Sequence, residues 1–100
     1  MRRVVITGLG IVSCIGNDNA TITKNLKELN SGISEAPEYA EYSFRSLVHG
    51  KPNIKLEEHI DRRILRFMGD GAAYNYISMH NAIKDAGLDE NDISNEKTGI

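Results

Sequence analysis

VVITGLG, at residues 4–10, is the stretch that decides the fold of this sequence. Val4, Val5 and Ile6 are β-branched or apolar neighbours without alternating polar positions, and this pattern predicts a strand buried on both faces, as in a parallel sheet covered by helices. Gly8 and Gly10 follow, and glycine there permits a close approach of the backbone to a neighbouring element. We therefore expect an α/β fold that opens with an interior strand.

Two helical regions are predicted after this strand. Residues 17–19 offer caps for the first, and apolar side chains at 22, 26 and 29 recur at helical spacing. Asp61 is expected to cap the longest helix, which Gly69 and Gly71 weaken enough to kink it or divide it in two. Its predicted inward stripe comprises Ile64, Leu65, Met68, Ala72, Tyr76, Met79 and Ile83. Residues 86–88, AGL, end it with glycine at the left-handed position.

The remaining segments are less regular. Residues 44–49 are expected to form a short edge strand, residues 89–97 a polar connector, and residues 98–100 the beginning of a strand. A buried strand near residues 3–7 would leave backbone N–H and C=O groups to be paired, at roughly 1 to 3 kcal/mol for each unpaired group. Because these 100 residues offer few partners for it, we expect the chain to be part of a larger α/β domain.

Composition limits the classes of function. The chain has 100 residues, 40% of them hydrophobic and 26% charged, with a formal net charge of −2. This near-balance of charge argues against a general nucleic-acid binder, and no apolar run approaches the ~20 residues that cross a bilayer. Cys14, the only cysteine, excludes an intramolecular disulfide framework and suits a reducing compartment. We expect a cytoplasmic protein with neither a nucleic-acid nor a membrane partner.

The glycine pair permits a second interpretation. A strand, Gly-x-Gly and a helix outline a dinucleotide-binding turn, the mark of an NAD(P)-binding oxidoreductase. However, Ser13 stands where a third glycine is wanted, and no second buried strand follows within about 20 residues to carry a ribose-binding carboxylate. A structural turn with close packing is the favoured interpretation.

Cys14 and the histidines are the other candidates for chemistry. Cys14 precedes a helix, as an activated thiol would, but its apolar neighbours favour a packing role. His49, His59 and His80 do not show metal-ligand spacing with one another or with Cys14. We therefore predict no metal site and no cofactor.

Arg62, Arg63 and Arg66 form a cationic cluster at a predicted helix start, where the helix dipole prefers negative charge. Arg62 and Arg66 are four residues apart and share a face with Arg63 alongside. A locally unfavourable cluster of this kind indicates an anionic partner, such as a phosphate or an acidic protein surface. The alternative is a solvated face neutralised by nearby acidic residues at 57, 58 and 61.

Several motifs together resemble the β-ketoacyl-acyl-carrier-protein synthases, over nearly the whole chain. The opening VVITGLGIVS and IGN are similar to the first strand and loop of that family, and SGI at residues 31–33 to the turn after its first helix. IDRR at 60–63 and RFM at 66–68 look like the type I bacterial enzymes rather than type II. DAGL at 85–88 continues the match.

The resemblance implies a thiolase-like αβαβα layered fold in a homodimer, with residues 1–100 as the N-terminal portion of the first domain. It implies an acyltransferase of fatty-acid biosynthesis that condenses an enzyme-bound acyl chain with malonyl-acyl-carrier protein, releasing CO2. The family's catalytic cysteine, two histidines and lysine fall after residue 100, and Cys14 does not match the nucleophile's motif. No catalytic residue is therefore assigned here, and a non-catalytic relative of the family stays an alternative.

The resemblance also implies a partner. Type I enzymes dock acyl carrier protein, which is strongly acidic, partly through the basic helix start that matches Arg62, Arg63 and Arg66. Position 63 is often lysine in them, so Arg63 keeps the charge and changes the hydrogen-bonding geometry.

Overall fold

The computed structural model describes residues 1–98, and the predicted final strand falls largely on Gly99 and Ile100, outside the described residues. The chain divides into two compact units. The first contains residues 1–11 and the described residues from 56 onward, and the second contains residues 12–55. Short helices and one two-stranded sheet make this a small α/β protein.

In the second unit, helix α1 (Asn19–Lys27) begins where the sequence predicts. The Asp18 carboxylate accepts hydrogen bonds from the Thr21 backbone N–H at 2.8 Å and the Thr21 hydroxyl at 2.7 Å. The Thr21 backbone bond is the main reason why the pKa of Asp18 lies below its ordinary value. The helix ends at Lys27, and Leu29 follows with a positive φ of 57°. Ile22 is buried, but Leu26 and Leu29 are exposed, so only part of the predicted apolar stripe is correct.

The sheet of the second unit pairs β1 (Ser34–Glu35) antiparallel with β2 (Val48–His49). The Ala36 N–H donates to the Leu47 carbonyl at 2.8 Å next to this pair, and Ala36 is fully buried. Between the strands lies helix α2 (Glu38–Glu41). The predicted strand at residues 44–49 is therefore confirmed for its last two residues.

In the first unit, the long predicted helix is two helices, as its glycines indicate. After a 3-10 helix at Leu56–Glu58, α3 (Arg62–Leu65) is a single turn and α4 (Asp70–Ala86) begins after an extended Gly69. The predicted inward stripe is only partly correct on α4. Ile83 is half-buried, but Ala72, Tyr76 and Met79 are exposed, and Ala73 and Ile77 are the buried residues.

The end of α4 follows the prediction closely. Gly87 has a φ of 66°, its N–H donates to the Lys84 carbonyl at 3.2 Å, and the Leu88 N–H donates to the Ile83 carbonyl at 3.3 Å. This is the left-handed glycine termination of a helix. The connector that follows contains a further helical turn, α5 (Glu90–Ile93). No helix within residues 1–98 has the length and apolar character needed to span a membrane.

The predicted interior strand at the N-terminus is wrong for this structure. Residues 4–8 have no regular secondary structure, and the Val4 and Ile6 side chains are 93% and 85% exposed. A strand requires a hydrogen-bonded neighbour, and the sheet described within residues 1–98 contains β1 and β2 only. The β-branched residues therefore keep their side chains in solvent.

The glycines that follow this segment lie directly against α4. A Cβ on Gly8 would overlap the Ala82 carbonyl oxygen, and one on Gly10 would overlap the Ser78 carbonyl oxygen. The Leu9 N–H between them donates to the Asp85 carboxylate at 2.9 Å. The close-packing interpretation of the glycine pair is therefore confirmed.

The described core is small for a chain of this mass. Its buried hydrophobic residues are Ile22, Ala36, Ile60, Ala73 and Ile77. The accessible surface is 8633 Å², whereas a folded monomer of 11.1 kDa is expected to expose about 5,700 Å². Large apolar side chains are among the exposed ones, including those of Val4, Ile6, Leu29 and Phe67.

We expect Gly10→Ala to lower the free energy of unfolding by about 1–3 kcal/mol, because the added methyl group collides with helix backbone. Gly71→Ala is the matched control, since a Cβ at that position would meet no atom within 4 Å beyond its chain neighbours and the backbone of its own helix. Thermal unfolding followed by far-UV circular dichroism would measure both. Equal stability of Gly10→Ala and the unchanged protein would contradict the close contact.

Candidate functional site

The basic cluster lies on a turn that is fixed from both sides. Before it, the Ile60 N–H donates to the Leu56 carbonyl at 3.0 Å, and the Ile60 side chain is buried. Asp61 then starts α3: its carbonyl accepts the N–H groups of Ile64 and Leu65, both at 2.9 Å. Its carboxylate Oδ1 accepts the Arg63 N–H at 2.8 Å. A buried anchor and a side-chain cap thus hold the cluster in place.

Arg63 makes a two-pronged ion pair with the same aspartate. Its Nε donates to Oδ1 of Asp61 at 3.2 Å and its Nη2 to Oδ2 at 3.0 Å. This side-chain interaction, followed by the backbone bond from Arg63, places the pKa of Asp61 below its ordinary value. The Asp61 carboxylate likewise raises the pKa of Arg63. The pair is open to solvent, with the Arg63 side chain 86% exposed.

Arg62 and Arg66 are differently placed. The Arg66 N–H donates to the Arg62 carbonyl at 3.2 Å, which puts the two residues one helical turn apart. The Arg66 guanidinium carbon lies 4.6 Å from the centroid of the Phe67 ring, a cation–π arrangement. No carboxylate within residues 1–98 forms an ion pair with Arg62 or Arg66. Both side chains are exposed in the described part of the chain.

The three arginines lie on α3 and at its end, and two expectations about them are corrected. Because α3 is a single turn, its dipole is small and opposes the arginines only weakly. Among the three arginines, an ion pair with a nearby acid within residues 1–98 is found for Arg63, with Asp61. Ile64, predicted to face the core, is 47% exposed, whereas Leu65 and Met68 are half-buried.

Cys14 lies in a packed environment. It is half-buried, in a turn where the Ser13 N–H donates to the Gly16 carbonyl at 2.9 Å. A Cβ on Gly32 would lie 2.8 Å from the Cys14 sulfur, and one on Gly50 would lie 2.9 Å from it. The thiol thus fits against two glycine backbones, which agrees with the packing interpretation.

Two further features carry no assigned chemistry. His49 Nδ1 lies 3.3 Å from the Tyr39 hydroxyl and 3.9 Å from a Glu38 carboxylate oxygen. No group of three potential ligands within residues 1–98 could hold a metal ion. A cavity of about 320 Å³ lies in the first unit, and its lining includes the apolar side chains of Met79, Ile83 and Ile93. Sequence reasoning missed this cavity because α5 was not predicted.

Comparison with known proteins identifies a family and several relatives of this chain. The family model described as "Beta-ketoacyl synthase, N-terminal domain" matches residues 1–100. The chain is 52% identical over 100 residues, its whole length, to 3-oxoacyl-[acyl-carrier-protein] synthase 1 of Haemophilus influenzae, covering 25% of that protein. It is 46% identical over 88 residues to the synthase 1 of Escherichia coli K12, which is 88% of the chain and 22% of that protein.

A synthase 2 is more distant. The chain is 34% identical over 100 residues, 99% of its length, to 3-oxoacyl-[acyl-carrier-protein] synthase 2 of Staphylococcus aureus N315, covering 24% of that protein. The chain therefore spans about a quarter of the length of the curated relatives it matches. These matches overturn the dinucleotide-binding interpretation of the glycine pair.

The ion pair between Asp61 and Arg63 predicts that α3 becomes less stable in acid. Asp61 has an ordinary carboxyl pKa of 3.8 in the unfolded chain and a lower one in the folded chain. The carboxylate therefore stabilises α3 above pH 3.8, and this contribution is lost as the pH falls through the lowered folded value. Nuclear magnetic resonance titration of Asp61 should give a midpoint below 3.8, raised in Arg63→Ala. An Asp61 midpoint that does not move in Arg63→Ala would contradict the ion pair.

Proposed function

The chain belongs to the β-ketoacyl synthase family, and from this we propose that it is the N-terminal part of a type I 3-oxoacyl-[acyl-carrier-protein] synthase. The observation that carries the proposal is 52% identity to a synthase 1 over the whole chain. The enzyme would be an acyltransferase of fatty-acid biosynthesis. It would decarboxylate malonyl-carrier protein and join the resulting enolate to an acyl group held as an enzyme thioester.

In this proposal the chain contributes structure and partner binding rather than catalytic groups. Residues 1–100 would open the first of two thiolase-like halves in a layered αβαβα homodimer in the cytoplasm. The excess of exposed surface supports this, because Val4, Val5 and Ile6 lie in solvent here and their pattern suits an interior strand. Other strands of the enzyme would pair with residues 4–8 and cover them.

The basic turn is the proposed docking surface for acyl carrier protein. Arg62 and Arg66 are exposed, unpaired within residues 1–98 and one helical turn apart, so they present two positive charges to a partner. The names of the relatives describe synthases of a 3-oxoacyl group carried by acyl carrier protein. An acidic carrier would be attracted over a distance of about 8–10 Å at physiological salt, which raises the rate of productive encounter.

A chimeric synthase provides the test of the proposed function. In it, this chain replaces the matching N-terminal quarter of the Haemophilus influenzae synthase 1, whose remaining sequence supplies the other three quarters. A folded chimera with condensing activity on acyl- and malonyl-carrier protein would support the assignment. A folded dimeric chimera without activity would contradict it.

Charge reversal at Arg62 and Arg66 in the chimera should raise KM for carrier-protein substrates roughly ten-fold and flatten its salt dependence. The physical reason is that two attractive charges become repulsive towards an acidic partner. Arg45→Glu with Lys51→Glu is the matched control, because both residues are exposed and the change in net charge is the same. Steady-state kinetics at low and high salt would measure both. Equal KM values for the two double variants would exclude the docking role.

A further inference from the structure

We propose that Asp61 sets the affinity of the basic turn by holding Arg63 in an internal ion pair, which a carboxylate of the carrier protein must displace to bind the Nε–Nη2 edge of that arginine. The inference rests on the proposed function and adds a residue to it. Asp61 is then an affinity-determining residue that opposes docking, although it lies among the arginines that favour it.

The geometry shows why Asp61 competes effectively. Both carboxylate oxygens face the Arg63 guanidinium, at 3.2 Å and 3.0 Å, so its Nε–Nη2 edge, one of the two edges that can bind a carboxylate through two hydrogen bonds, is already filled. Oδ1 also accepts the Arg63 backbone N–H at 2.8 Å. This backbone bond keeps the carboxylate at the start of α3 and therefore close to the guanidinium.

The same backbone bond makes the exchange reversible. If a partner carboxylate takes the guanidinium, Asp61 still caps the Arg63 N–H and its carbonyl still accepts from Ile64 and Leu65. The turn that carries the cluster therefore persists while the Arg63 side chain changes partner. Since the Arg63 side chain is 86% exposed, the guanidinium has room to rotate towards a docked protein.

The three arginines consequently have different roles. Arg62 and Arg66 have no carboxylate partner within the described chain, so a carrier gains their full attraction. Arg63 contributes to docking only the difference in free energy between its interaction with the partner's carboxylate and its interaction with Asp61. Truncating Arg63 should therefore cost less affinity than truncating Arg62 or Arg66, even though all three lie on the same turn.

Asp61→Asn is the variant that tests this inference, because asparagine keeps the cap and removes the charge. In the chimeric synthase, at low salt, it should lower the Kd for holo-acyl carrier protein about two- to five-fold, the range of an exposed ion pair. Arg63→Ala should raise Kd less than about two-fold in the parent chimera and more in the Asp61→Asn background. Isothermal titration calorimetry on the four proteins completes a double-mutant cycle.

Asp18→Asn is the matched control, since Asp18 also caps a helix and has Thr21 rather than an arginine as its partner. It should leave Kd unchanged. The inference is overturned if Asp61→Asn gives the same Kd as Asp18→Asn, or if Arg63→Ala costs the same factor in both backgrounds. Circular dichroism identifies any variant that has lost its helices. Charge reversal at Arg62 and Arg66 separates the two proposals, because it weakens docking whenever the surface is used, whatever the role of Asp61.

Discussion

The contact between the glycines of the N-terminal segment and helix α4 is the constraint on which the first unit depends. Gly8 and Gly10 lie where any side chain would overlap backbone carbonyl oxygens of that helix. The β-branched residues that precede these glycines keep their side chains exposed. The N-terminal segment is thus positioned by the glycine packing and by the hydrogen bond from the Leu9 N–H to the Asp85 carboxylate, and the proposed enzyme would supply its sheet neighbours.

Asp61 has the same importance on a local scale. It lies between the 3-10 helix and α3, caps α3 and pairs with Arg63. One side chain therefore determines both the shape and the charge of the basic turn. The turn is therefore less positive than three arginines would suggest. If it docks an acidic carrier, as proposed, a moderate affinity would suit an enzyme that must release its carrier after each reaction.

Features that depend on neighbouring residues could be predicted from the sequence, whereas features that depend on contacts between distant residues could not. The cap at Asp18, the break at Gly69 and the left-handed Gly87 depend on neighbouring backbone, and all three are found. The predicted strand at residues 3–7 depends on partners distant in sequence, and the burial of Ala73 and Ile77 depends on packing that the local apolar pattern of α4 does not specify. The arginine cluster and the nearby acids at 57, 58 and 61 were evident in the sequence, whereas the pairing of Asp61 with Arg63 in particular depends on side-chain conformations that only the structure shows.

Amide hydrogen exchange at Val4, Val5 and Ile6 tests most directly whether this segment is an interior strand of a larger synthase. These amides should exchange rapidly in the isolated chain, whose described residues give them no ladder partner, and slowly in the chimeric synthase, where neighbouring strands would pair with them. Equally fast exchange in both proteins, or strong protection in the isolated chain, would contradict that assignment.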